Sequence, residues 1–139
     1  MVHALEITHS LLKPGGLLID IHPTGQHPLV EAHVDGEVRL AGVVDELDDF
    51  EEYFKADQAL ADVNSRGLFL LEREAFFSFL YHAPTIAELA DFIAAEWSDA
   101  VLHEETIEQA RQLMGEPGDG RKIVVREPVR ITRFRASAQ

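Results

Sequence analysis

His22, His27 and His33 follow one another at intervals of five and six residues. If the chain between them folds back on itself, three imidazoles could meet a metal such as zinc. Asp20 and Glu31 are near enough in sequence to orient the rings. The intervals match no recognised ligand pattern, and surface histidines of a loop and a hairpin explain them more simply. Glu72, Glu74, Tyr81 and His82 form a second group, in which carboxylates and an imidazole could do acid–base work. Glu72 and Glu74 share parity, however, so outward positions of an alternating strand account for them. Trp97, Phe50, Tyr53 and Phe54 read as core residues rather than ligand platforms. The sequence has no Ser-His-Asp signature, no H-E-x-x-H and no phosphate-binding P-loop. Without cysteine it can form no disulfide and do no thiol chemistry.

The elements that must position these residues follow from periodicity. Ala4, Ile7 and Leu11 have helical spacing, and Pro14-Gly15-Gly16 ends that helix. Leu17–Ile21 is a short apolar run, which reads as a buried strand. Leu29–Val44 reads as a hairpin about Asp35-Gly36, with Val30, Ala32 and Val34 alternating before the turn and Val38, Leu40 and Gly42 after it. An acidic helix is expected over Asp45–Val63, with Leu47, Phe50, Phe54 and Ala61 along one face. Leu68–His82 suggests two strand segments or one long bent strand. Thr85 and Glu88 form a capping box for a helix carrying Ile86, Leu89, Ile93 and Trp97 on one face. A further helix over Glu104–Met114 carries Ile107, Ala110 and Leu113 and stops at Gly115. Lys122–Phe134 alternates as a strand through Ile123, Val125, Val129, Ile131 and Arg133. Pro128 implies a break, a bulge or an edge there.

A chain of 139 residues, 46% hydrophobic, suits one domain with a real core. Its net charge of −13 opposes binding to nucleic acid or an anionic membrane. No apolar run approaches the roughly 20 residues that span a bilayer. The N-terminus has neither the basic nor the apolar region of a signal peptide. A soluble, cytoplasmic protein is expected. Asp45–Asp62 holds eight acids against Lys55, and Arg121–Arg135 holds six bases against Glu127. The two segments are either solvated faces or partners, within the chain or across a dimer. Surface pairs contribute only ~0.2–1 kcal/mol each, enough to set register but not to drive association.

The stretch from Ala4 to Asp20, with Leu12-Lys13-Pro14-Gly15-Gly16 at its centre, resembles an element of class I S-adenosylmethionine-dependent methyltransferases. In that Rossmann-like family a helix ends in L-K/R-P-G-G and feeds the fifth strand, which lies between the fourth and the seventh. The close match covers about 20 residues. The remainder is compatible with the family's last strands, with the hairpin as an addition. The family's glycine-rich turn and ribose-binding acid precede this element, and no G-x-G-x-G occurs in the chain. Gly15-Gly16 lies after a helix, whereas an anion-cradling loop lies before one.

The resemblance thus implies a single α/β or α+β domain, with a mixed, mostly antiparallel sheet and flanking helices. It implies the C-terminal half of a methyltransferase, with no cofactor-binding residue and no independent methyl transfer. Such a chain would act as a dimeric binding or accessory domain. The alternative is the substrate-side part of a split small-molecule enzyme, using S-adenosylmethionine only when a partner chain supplies the missing half. His22, Thr24 and His27 are the expected substrate-side residues. Without a fourth strand, the Leu17–Ile21 strand has a bare apolar edge. A second copy or another chain is expected to cover it.

Overall fold

In the structure, a computed structural model, residues 1–46 and 49–138 are described. In chain order the elements are α1 (Val2–Leu11), β1 (Leu17–Pro23), β2 (Leu29–Val34), β3 (Glu37–Val43), β4 (Asp45–Glu46), α2 (Asp49–Ser65), β5 (Phe69–Ala83), α3 (Ile86–Glu96), β6 (Ala100–Val101), α4 (Glu104–Met114) and β7 (Arg121–Ala136). The fold is α/β: four helices among the described residues accompany a mostly antiparallel sheet. No described helix is long and apolar enough to cross a membrane. The chain divides into two compact units, one of residues 1–25, 50–77 and 129–139, the other of residues 26–49 and 78–128.

In the first unit, the Pro-Gly-Gly stop turns α1 into β1. Gly15 takes φ +76°, and a Cβ on Gly16 would lie 2.9 Å from the Lys13 carbonyl oxygen. The turn is pinned to the end of β7, because Gly15 N donates to Ala136 O at 3.1 Å and Ala136 N to Gly16 O at 2.8 Å. β1 runs antiparallel to β7, with Leu17 opposite Arg135, Ile19 opposite Arg133 and Ile21 opposite Ile131. Leu60, Val63, Phe69, Phe134 and Ala136 form the core, with Val2, Leu5, Leu12 and Leu18 packed around it.

Four expectations change. β1 has the expected open edge but is not buried: Leu17, Ile19 and Ile21 are 47%, 49% and 56% exposed. Among the described residues β1 pairs with β7 alone, and only its opposite face, through Leu18, reaches the core. On α2 the buried stripe is Ala59, Leu60 and Val63, whereas Phe54 and Ala61 are exposed. Asp45 and Glu46 are not helical but form β4; Leu47 and Asp48 lie outside the described residues. In β7 the residues buried after Pro128 are Val129, as expected, and then Thr132, Phe134 and Ala136, while Arg133 is exposed. The helix-facing side of the strand thus carries residues of even number, because Phe134 packs with Leu60 and Val63.

In the second unit, β2 lies between β3 and the first half of β7, antiparallel to both. The hairpin turn has φ +52° at Asp35 and +83° at Gly36, as a two-residue turn with positive φ at both positions requires. The β2–β3 register shifts between Val30 and Glu31, so Val30 faces Gly42 and Glu31 faces Leu40. This bulge interrupts the alternation of β3, and Val38 and Leu40 are exposed. α3 and α4 bury Leu89, Ile93, Ala110 and Met114 against Val30, Ala32, Ile123 and Val125. On α4 the buried stripe is Thr106, Ala110 and Met114, with Ile107 and Leu113 on its flank. A Cβ on Gly42 would lie 2.3 Å from Thr106 Oγ1, so the close approach of α4 to β3 requires glycine there. The short pair β4–β6 matches Asp45 with Val101 and Glu46 with Ala100.

β5 is one strand of 15 residues and pairs with β7. β7 is continuous through Pro128. Its register with β2 ends at Arg126 and its register with β1 begins at Val129, so neither partner calls on the missing proline N–H.

Candidate functional site

The carboxyl end of β1 carries the densest set of functional groups in the first unit. Asp20 and His22 have the same parity, so alternation puts both on one face of the strand. His22 stands directly opposite Arg130 of β7, and Asp20 opposite Thr132. α2 supplies Tyr53 and, one turn later, Asp57. Asp57 Oδ1 accepts from His22 Nε2 at 3.0 Å and from Arg130 Nη1 at 2.5 Å. Asp20 Oδ2 lies 2.6 Å from His22 Nδ1. The Tyr53 ring is stacked near the imidazole, with centroids 6.3 Å apart. Glu74 Oε2 is 2.8 Å from Arg130 Nε, a charge contact rather than an aligned hydrogen bond.

The chemistry of this cluster follows from its charges. Both imidazole nitrogens of His22 face carboxylate oxygens. The two carboxylates fix the ring from both sides, with Asp20 at Nδ1 and Asp57 at Nε2. His22 and Arg130 stand among the carboxylates of Asp20, Asp57 and Glu74. The His22 side chain is 11% exposed. The cluster thus fixes an imidazole and a guanidinium side by side at the end of β1. Among the described residues the hydroxyl of fully buried Thr132 has no hydrogen-bond partner.

Of the three expected site residues, His22 is in this cluster. Thr24 follows β1 directly and is half-buried. His27 belongs to the second unit, as a half-buried loop residue before β2. His33 is also in the second unit, with Nε2 2.8 Å from Glu31 Oε2. Among the described residues no three histidine, aspartate or glutamate side chains are grouped so as to hold a metal ion. Glu31 is 7% exposed and accepts from Arg126 at Nε (2.8 Å) and Nη2 (3.2 Å). The Arg126 guanidinium holds the Glu31 carboxyl below its ordinary value, against the opposing push of burial and with help from His33.

Glu72 and Glu74 do not form an acid–base pair. Glu72 contacts Arg133 and Arg135, and Glu74 contacts Arg130. The acidic and basic segments do meet, through Asp57 and Arg130. That imbalance of charge was the only sign in the sequence of the roles of Asp57 and Arg130. Nothing there singled out Tyr53 as a neighbour of His22.

Gly15-Gly16 does not fit a cofactor-cradling role. The Gly15 N–H is spent on Ala136 O and the Gly16 N–H on Lys13 O at 2.8 Å. The two donors that an anion would need are therefore engaged within the fold. The sequence matches no protein-family model, no curated protein and no solved structure.

Proposed function

We propose that this chain is a methyltransferase-related protein without independent methyl transfer, acting as a dimeric binding or accessory domain through the free edge of β1. The observation that carries this reading is the state of β1. It follows a Leu-Lys-Pro-Gly-Gly stop, pairs on one side only among the described residues, and exposes Leu17, Ile19 and Ile21. A row of unpaired backbone groups beside an apolar face is a template for another strand.

Two further features support it. The long strand β7 lies beside β1, and on this reading it would correspond to the family's seventh strand and the open side of β1 to the place of the fourth. Beside the edge, Ile19, Ala75 and Ile131 line a cavity of ≈ 240 Å³ with Arg73 and Arg133. Burying such apolar surface contributes about 25 cal/mol per Å². The net charge of −13 disfavours nucleic acid as the partner, and the lack of cysteine accords with a reducing cytoplasm. His22, Thr24 and His27 are the residues proposed for a substrate-side role.

Light scattering at micromolar concentration should find a dimer, which Ile19→Lys weakens. A strictly monomeric wild type overturns the self-association. Calorimetric titration of the chain with S-adenosylmethionine should show no binding, and saturable binding overturns the accessory reading. Binding that appears only on mixing with a chain bearing a glycine-rich half favours the split enzyme instead.

A further inference from the structure

The second unit contains an aromatic-walled cavity that shares no residue with the His22 cluster or with β1. Its volume is ≈ 240 Å³, and Phe79, Tyr81, Phe92, Glu96, Trp97 and Glu127 line it with Val125. Phe79 and Tyr81 have the same parity on β5, so they leave the strand on one side. Phe92 and Glu96 are one turn apart on α3, beside the stripe of Ile86, Leu89 and Ile93 that faces the core. Trp97 caps the same helix, and its own backbone N–H bonds Ile93 O at 3.0 Å. Tyr81 and Phe92 are stacked, with centroids 4.2 Å apart and planes 15° from parallel. Tyr81, Phe92 and Trp97 thus rest on the core while Phe79 stays 60% exposed at the rim.

The composition of this wall selects its ligand. Four aromatic rings line the cavity, and two carboxylates stand with them. No lysine, arginine or histidine lines the cavity. Glu96 is exposed and has no ion-pair partner among the described residues. A negative, mostly apolar enclosure attracts a cation but offers few acceptors for the three N–H groups of a primary ammonium. A quaternary ammonium needs none, because its charge is spread over methyl groups that pack on rings. The volume falls below the roughly 300 Å³ at which drug-sized sites begin, so a headgroup fits and a large ligand does not. A net charge of −13 adds a field that draws cations in.

We infer that this cavity binds the quaternary ammonium group of a small molecule. Trp97 is the only tryptophan, so its emission reports the site directly. The probe is choline, with 3,3-dimethylbutan-1-ol as the uncharged molecule of the same shape. Choline should change Trp97 emission saturably and bind about tenfold more tightly than the neutral probe. Glu96→Gln, on an exposed position, and Phe79→Leu, which keeps apolar bulk without the ring, should each weaken choline severalfold. Both variants should retain the wild-type circular dichroism and leave the neutral probe's response unchanged. Equal affinity for the two probes overturns the inference. So does the absence of both a saturable emission change and saturation transfer to the choline methyl protons.

Discussion

Arg126 holds Glu31 with two nitrogens, Nε at 2.8 Å and Nη2 at 3.2 Å, across the β2–β7 ladder in the second unit. Glu31 is buried in a strand flanked on both sides, so its charge is tolerable only with these partners. Glu31→Gln should lower stability by about 2 kcal/mol in urea denaturation at pH 7, the scale of a charge-assisted hydrogen bond.

The same carboxylate makes stability depend on pH. Its folded pKa lies below the ordinary value, with Arg126 the largest cause. A depressed carboxylate contributes fully above the unfolded-chain pKa of about 4.3, and that contribution is lost as pH falls through the lower folded value. Denaturation midpoints measured from pH 7 down to pH 3 should therefore fall more steeply for the wild type than for Glu31→Gln.

His22→Phe preserves an aromatic ring beside Tyr53 but removes both ring nitrogens. Asp57 keeps Arg130, whereas Asp20 loses the contact at 2.6 Å. A loss of about 2 kcal/mol is expected from chemical denaturation. His22→Asn, which can still donate one hydrogen bond, should lose less.

Gly42→Ala should destabilise the second unit by about 1–3 kcal/mol, because the new methyl group would meet Thr106 at 2.3 Å. Thr106→Ala removes the two nearest atoms, Oγ1 and Cγ2. In a double-mutant cycle, the pair should cost less than the sum of the single changes.

Thr85→Ala tests the α3 cap. Thr85 Oγ1 accepts from Glu88 N at 3.2 Å, and its loss should cost about 1 kcal/mol. The helix positions Phe92, Glu96 and Trp97, so choline affinity should fall if the cap also holds the cavity in shape.

The elements were legible where one local rule governed them. Pro14-Gly15-Gly16, Asp35-Gly36, Thr85 with Glu88, and Gly115 mark turns and helix ends by chemistry that acts within a few residues. The structure puts boundaries at or beside all of them. The faces were less legible. The stripe on α2 was misplaced because Phe54 is as apolar as Leu60, and periodicity cannot say which one meets a neighbour. β7 changes its buried row along its length because different elements cover its two halves, and Pro128 sits where the strand changes partner.

Residue order by itself determined the helix, abrupt stop and strand at the start of the chain, the hairpin, the three later helices and the excess of negative charge. These depend on backbone conformation and composition, which neighbours in sequence dictate. Only the tertiary structure decided that β1 exposes Leu17, Ile19 and Ile21, that Asp57 bridges His22 and Arg130, and that four aromatic rings line one cavity. Each of those depends on groups tens of residues apart, brought together by packing. Packing is a property of shape and volume in three dimensions, which the order of residues along a line does not display.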